Sequence, residues 1–175
     1  MPINESRAFI PIGIAVLSVS DSRTLDTDTS GAILADRITA AGHKLADRAI
    51  VPDDVTAIRE KVAAWIEDPQ IDAIITTGGT GLTGRDVTPE AVAPLFDKII
   101  DGFSVIFHQV SFASVGLSTL QSRACAGVAR GTFIFCLPGS NGAVRDGWDK
   151  VISHQLDARQ LPCNLVELMP RLLER

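Results

Sequence analysis

The residues of this chain best suited to chemistry run Ile74-Ile75-Thr76-Thr77-Gly78-Gly79-Thr80-Gly81-Leu82-Thr83-Gly84-Arg85-Asp86-Val87-Thr88-Pro89-Glu90. A short apolar stretch stops in glycines, and the glycines give way to an Arg–Asp pair. Glycine lets a backbone turn sharply and come close to a ligand. Consecutive backbone N–H groups in such a turn form a concave anion site. Asp86 stands at the edge of that site, and a carboxylate beside a phosphate is repelled unless a cation bridges them. The loop therefore points to phosphate chemistry with a divalent metal. In that role Asp86 holds Mg²⁺ or water near the phosphates; its bland alternative is a turn or cap before Val87-Thr88-Pro89. A glycine motif without context is weak evidence. Three glycines in four positions at the end of a buried strand, however, argue against a mere tight turn.

The elements that must position this loop follow from the hydrophobic pattern. Ile12 to Val19 is a continuous apolar run ending in the polar turn Ser20-Asp21-Ser22-Arg23, as expected for a strand covered on both faces. Leu25 to Thr29 reads as a loop, and Gly31 to Ala41 as a helix closed by Gly42. His43 to Val51 is a second strand, broken by Pro52. Asp53-Asp54 can cap the next helix, which places Val55, Ile58, Val62, Trp65 and Ile66 at helical spacing. Ile71 to Thr76 is the third strand and leads into the glycines. After the loop, Pro89 to Phe96 reads as a short helix, Ile99 to Phe103 as irregular, Val105 to Phe112 as helical with apolar residues nearly all round, and Leu117 to Ala129 as a further helix. Thr132 to Leu137 is a fourth strand ending in Pro138-Gly139-Ser140, followed by a helix over Val144 to Leu156.

Strand–helix alternation of this kind predicts an α/β fold with a mostly parallel sheet. Ligands of such sheets bind at the carboxyl ends of the strands. The tips Ser20-Asp21, Pro52-Asp53, Thr77 to Gly81 and Pro138-Gly139-Ser140 should therefore share one edge. Each has a plain structural alternative. A helix cap accounts for Asp53, a turn for Ser20 and Asp21, a cap for Ser140, and a surface ion pair for Arg85.

The 175 residues suit one domain, 1–175, with residues 1–10 and 165–175 as peripheral tails. With a formal net charge of -5, 5% aromatics and no Tyr, a basic stripe or a base-stacking platform is not expected, so no nucleic acid is. Cys125, Cys136 and Cys163 form no CxxC pair and read as reduced thiols. His43, His108 and His154 match no zinc spacing. Met1 to Pro11 has no signal-peptide pattern, and Ile12 to Val19 is too short to span a bilayer. The expectation is a cytoplasmic protein without membrane contact.

Thr76-Thr77-Gly78-Gly79-Thr80-Gly81, Arg85 to Glu90 and Leu137-Pro138-Gly139-Ser140 together resemble the molybdenum cofactor biosynthesis family known as MoaB and MogA. Leu17 to Asp21 and Pro52-Asp53-Asp54 match as well. Leu120-Gln121-Ser122-Arg123-Ala124, Gln155 to Arg159 and Pro162-Cys163-Asn164 look like the MoaB branch. The resemblance covers roughly Pro11 to Asn164. It implies a three-layer α/β/α molybdopterin-binding fold, trimers or dimers of trimers, and contact with other proteins of molybdenum cofactor biosynthesis. It also implies Mg²⁺-dependent adenylylation of molybdopterin: ATP gives AMP to the pterin's terminal phosphate and pyrophosphate leaves. Carried onto this sequence, Asp53 and Asp86 become the catalytic and metal-holding carboxylates. Ser20, Asp21, Thr77, Gly78, Gly79, Thr80, Gly81, Arg85, Pro138, Gly139 and Ser140 become the substrate-binding residues. Two carboxylates at one edge suit a reaction in which catalysis is positioning plus charge neutralisation. The alternative is a non-catalytic carrier or scaffold for molybdopterin. A nucleotide switch of the tubulin type fits less well, because the chain is too short for that fold.

Overall fold

The computed structural model describes residues 3–174. Six strands form one sheet in the order β2-β1-β3-β6-β5-β4. Its parallel half comprises β1 (Gly13–Val19), β2 (Lys44–Val51), β3 (Ala73–Thr77) and β6 (Thr132–Leu137). β5 (Cys125–Ala129) and β4 (Lys98–Ile99) are added antiparallel at one edge.

The three layers follow from alternation along buried strands. On one face Ile14, Val16, Ile75 and Phe135 pack against α1 (Thr29–Ala40), α4 (Asp101–Val115) and α5 (Asn141–Gly147). On the other, Ala15, Leu17, Ile74 and Ile134 pack against α2 (Val55–Ile66) and α3 (Thr88–Val92). β1, β3 and β6 are buried along their whole length, which is why their sequences are apolar without alternation. β2 is an edge strand with an exposed first half, and it reads more polar. Each fully buried aliphatic side chain contributes about 1.5–3 kcal/mol, so the layers are held mainly by these two cores.

The expected α/β/α architecture with a mostly parallel sheet is what the chain forms, with one correction. The helix expected over Leu117 to Ala129 is instead a 3-10 turn over Gly116–Gln121 followed by β5. Ala124 to Ala129 is rich in small residues that tolerate a helix, but tertiary pairing overrides that preference. β5 hairpins onto β6 through Arg130 and Gly131, both at positive φ. Gly127 is required under the Phe96 ring, where a Cβ would come within 2.3 Å of the ring. The region expected to be irregular, Ile99 to Phe103, holds the end of β4 and the first turn of α4. The helix expected over Val144 to Leu156 begins at Asn141 and runs to Gln155 through a π-helical stretch at Trp148–Ile152, and a 3-10 helix follows at Val166–Arg171.

The two chain ends, expected as peripheral, clasp each other against the body. Arg7 pairs with Glu167, the Asn4 N–H donates to the Arg159 carbonyl at 2.8 Å, and Val166 is buried in the core. The stretch Asp101–Gln121 is apolar and long enough to cross a bilayer by length and composition alone. Its Phe103, Phe107 and Ser111 are buried against the sheet, whereas Val105, Ile106, Phe112 and Val115 are exposed.

Candidate active site

β1, β3 and β6 end side by side, and their polar tips meet. The Thr77 hydroxyl donates to the Pro138 carbonyl at 3.2 Å, and the Gly78 N–H donates to the Leu137 carbonyl at 3.0 Å. The third and fourth tips are thus fastened together. Gly78 and Gly79 take φ of 103° and 65°, which L side chains rarely adopt. A Cβ at Gly78 would come within 2.3 Å of the Val19 carbonyl, so the loop folds back onto β1 only because that side chain is absent. Thr88, at the start of α3, holds the other limb: its hydroxyl donates to the Gly78 carbonyl at 2.8 Å and its N–H to the Gly79 carbonyl at 2.9 Å.

The helix-cap reading of Asp53 fails on inspection of α2. The cap is Asp54, whose carboxylate accepts from the Ala57 N–H at 2.8 Å. Asp53 is left half-buried, with its Oδ1 beside Gly79: a Cβ built there would lie 3.3 Å from it. Burial raises the Asp53 carboxyl above the ordinary carboxylate range, and the nearby charges of Asp21 and Asp86 push the same way.

Asp86 likewise caps nothing, since α3 has no side-chain cap. Its Oδ2 accepts from the Thr83 hydroxyl at 2.6 Å and from the Thr83 N–H at 2.9 Å. The Thr83 hydroxyl is the main reason its carboxyl lies below the usual range, with backbone N–H groups adding to the effect. A Cβ at Gly81 would sit 2.7 to 3.0 Å from the Asp86 carboxylate, so Gly81 makes room for it. Asp86 is therefore an ionised, locally aimed carboxylate, and Asp53 a carboxylate crowded by like charge.

Ser20 and Asp21 join the same edge. The Ser20 hydroxyl oxygen accepts from the N–H groups of Ser22 and Arg23, both at 3.3 Å. Asp21 accepts from the Asp53 N–H at 3.1 Å and pairs with Arg85. The hydrogen bond from Arg85 holds the Asp21 carboxyl below its ordinary range. Ser140 caps α5, accepting from the Ala143 N–H at 3.1 Å, which leaves its own O–H free to donate.

Three cavities flank these tips, among them one of 440 Å³ lined by Ser20, Asp21, Thr24 and Pro52. A second, of 180 Å³, is lined by Ser18, Ser20, Arg23, Thr29, Gly78 and Gly139. A third, of 240 Å³, lies beyond Pro138 and Ser140 and is lined by Ser111, Ser118, Thr119, Ser122 and Asp146. Thr119 is buried there with an unpartnered hydroxyl. Larger cavities of 580 and 530 Å³ lie away from this edge and are mainly apolar.

Every residue expected at the site thus lies on one edge. The sequence reading missed the residues that hold the loop: Thr83, Thr88, Glu90 and Arg123. Arg123 donates to the Gly81 carbonyl at 2.8 Å and the Asp86 carbonyl at 2.7 Å, and pairs with Glu90. Expected inside the helix over Leu117 to Ala129, it stands just before β5 instead.

Fold and site together define a three-layer α/β domain whose polar strand tips meet at the carboxyl edge of its sheet, the place where ligands of such sheets bind. A family model described as "Probable molybdopterin binding domain" matches residues 15–158, and the chain belongs to that family. Among its relatives, Molybdenum cofactor biosynthesis protein B of Escherichia coli (strain K12) is 50% identical over 159 residues, covering 91% of this chain and 94% of the relative. The protein of that name from Bacillus subtilis (strain 168) is 40% identical over 159 residues, covering 89% and 94%. A crystal structure of Molybdenum cofactor biosynthesis protein B superposes with a TM-score of 0.83 at 40% identity, over 86% of this chain and 94% of that one. The tungsten cofactor synthesizing protein MoaB from Pyrococcus furiosus gives 0.69 at 34% identity, over 82% and 92%. The resemblance to the MoaB branch is borne out.

Proposed function

We propose that the protein acts in molybdenum or tungsten cofactor biosynthesis, where it adenylylates molybdopterin with ATP. An oxygen of the pterin's terminal phosphate attacks the α-phosphorus of ATP. The bond from that phosphorus to the bridging oxygen breaks, and pyrophosphate leaves with the electron pair. The observation that carries this reading is the convergence of two carboxylates, Asp53 beside Gly79 and Asp86 beside Gly81, on one glycine loop at the carboxyl edge of the sheet.

Residue roles follow from the geometry. Gly79 and Thr80 supply backbone N–H groups for phosphate oxygens, while Gly78, whose N–H is held by the Leu137 carbonyl, and Gly81, whose N–H bonds the Asp86 carboxylate, supply clearance. Arg85, paired with Asp21 at the rim, supplies a guanidinium to an incoming phosphate. The Ser140 O–H donates from the fourth tip. The hydroxyl-lined cavity beyond Pro138 suits a polar heterocycle such as the pterin, and the unpartnered Thr119 hydroxyl there needs an acceptor.

Asp21, Asp53 and Asp86 against the single guanidinium of Arg85 leave the edge acidic where phosphates must lie, so the donor set fits a divalent cation. No group of three or more His, Cys, Asp or Glu among the described residues could hold a metal alone. Two carboxylates sharing a cation with substrate phosphates is, however, the usual manner of Mg²⁺. Asp53 and Asp86 would hold it. When bound, Mg²⁺ neutralises charge building on the transferring phosphoryl group.

The exposed apolar face of α4 and the turn after it (Val105, Ile106, Phe112, Val115, Leu117, Leu120) calls for a cover. A second copy of the chain, in a trimer or dimer of trimers, supplies it. The site of action is the cytoplasm, where ATP and Mg²⁺ are abundant.

The deciding experiment is pyrophosphate release by the purified protein with molybdopterin, ATP and Mg²⁺. Release that depends on all three supports the reading. Pterin binding without release would leave a carrier in its place.

A further inference from the structure

Something must hold the distal half of the glycine loop, because Leu82, Thr83, Gly84 and Arg85 at its tip are exposed. Thr88 fastens only the first two glycines. From Thr80 onward the main chain is fastened by one residue of the antiparallel hairpin. The Arg123 N–H donates to the Thr80 carbonyl at 2.8 Å, its Nε to the Gly81 carbonyl at 2.8 Å, and its Nη2 to the Asp86 carbonyl at 2.7 Å. Among the described residues, no other side chain from outside the loop donates to a carbonyl from Gly79 to Val87; Thr88 reaches only that of Gly78. The guanidinium is itself oriented by the Glu90 carboxylate, on Nη1 and, at 3.2 Å, on Nη2.

We infer that Arg123, set by Glu90, is the positioning residue that fixes the Asp86 main chain for adenylyl transfer. It touches no substrate. Thr83 aims the Asp86 carboxylate, and Arg123 fixes the peptide from which that carboxylate hangs. The two carbonyls it binds lie on either side of the exposed tip, so the clamp sets the width of the loop as well as the place of Asp86. Only arginine does this: a planar fork with five N–H donors reaches two carbonyls and a carboxylate at once, whereas lysine offers a single point of attachment. The clamp comes from the antiparallel edge of the sheet, so the parallel half carries the phosphate loop while the added hairpin disciplines it.

This inference rests on the adenylyl-transfer reading for its kinetic consequence, but the clamp itself is readable without turnover. Amide hydrogen exchange of the full-length protein should show residues 80–87 exchanging at least about tenfold faster in Arg123→Ala, with amides of β1, β3 and β6 unchanged. Pyrophosphate release should fall on the order of 100-fold in kcat with KM for molybdopterin within about twofold. Added guanidinium chloride at low millimolar concentration should restore part of the loss. Unchanged exchange in residues 80–87 would overturn the clamp whatever the activity, and so would faster exchange spread evenly over the sheet. Should Arg123→Ala not fold, Glu90→Gln decides: it leaves the loop's own residues alone, and faster exchange confined to 80–87 supports the clamp while wild-type exchange there overturns it. If the wild type releases no pyrophosphate, the adenylylation reading fails and the exchange arm still judges the clamp.

Discussion

The backbone N–H of Asp53 donates to the Asp21 carboxylate at 3.1 Å, fastening the start of α2 to the end of β1. The bond also forces two acids together, and Arg85 pairs with only one of them. Asp53 is therefore left as a carboxylate that resists ionising, its carboxyl raised by burial and by the charge of Asp21. A fold tolerates such a group where it serves a ligand, and perturbed carboxylates gather at functional sites for that reason.

Replacing Asp53 by Asn should stabilise the ligand-free protein while removing its chemistry. The sign follows from linkage. A carboxyl raised above its ordinary value of 3.8 binds its proton more tightly in the folded state, so ionising it costs folding free energy at neutral pH. Asparagine removes that cost. Because the group is half-exposed and screened, the gain should be small, about 0.5 kcal/mol. Turnover should fall at least about 100-fold. Thermal unfolding and pyrophosphate release check the two halves, and a variant that is both less stable and fully active would remove Asp53 from the site.

Asp21→Asn should move the acid limb of the pH–rate profile to lower pH. Asp21 raises the Asp53 carboxyl through its charge, second only to burial. Neutralising it removes that repulsion and also releases Arg85 from its partner, leaving a positive charge that favours ionised Asp53. Both changes act in one direction. The limb of kcat/KM reports groups of the free enzyme, so the measurement is a profile of wild type against variant. A limb that stays put or rises would assign it to another group.

Much of this edge was legible because strand tips are set by element order. Ile12 to Val19 and Thr132 to Leu137 announce buried parallel strands through unbroken apolarity, and the polar residues after them must then share an edge. Ser20, Asp21, Asp53, Thr77 and Pro138 were placed that way. What could not be read was anything depending on β5. Cys125 to Ala129 is made of small residues, and its strand identity comes from pairing with β6 and from Phe96 lying over Gly127. Arg123 was hidden with it. The one local clue was Arg130-Gly131 between two apolar runs, which suits a tight hairpin. Nor does sequence show which of Asp53 and Asp54 caps α2, since either type serves and geometry decides.

His43 should make stability depend on mildly acidic pH. Its Nδ1 accepts from the Ile12 N–H at 3.3 Å, and its ring lies between Phe9 and Trp148, with centroids at 4.9 and 6.2 Å. Burial lowers its pKa, while Asp157 pulls weakly the other way. A depressed folded value means the contribution is intact above the ordinary 6.5 and is lost as pH falls below it. A protonated ring can no longer accept from Ile12. The urea midpoint should therefore drop between about pH 7.5 and 5.5, and drop less in His43→Phe, whose ring cannot titrate. Equal drops in both proteins would rule His43 out as the cause.

Gly81→Ala should separate loop shape from loop charge. Gly81 has no positive φ to protect, so the substitution brings little backbone strain. What it brings is a methyl group 2.7 to 3.0 Å from the Asp86 carboxylate, closer than Cβ contacts normally come. The carboxylate must swing away and break its bonds to Thr83. Thr83 is exposed, so that swing needs no repacking of the core, and global stability should change by no more than about 0.5 kcal/mol. A displacement of this size should cost on the order of 100-fold in turnover and raise the Mg²⁺ concentration needed for half-maximal rate. ATP binding without metal should be largely kept, since the Gly79 and Thr80 amides are untouched. Kinetics across a Mg²⁺ titration, with unfolding in parallel, provide the check. Wild-type metal dependence in this variant would mean that Asp86 does not hold the cation.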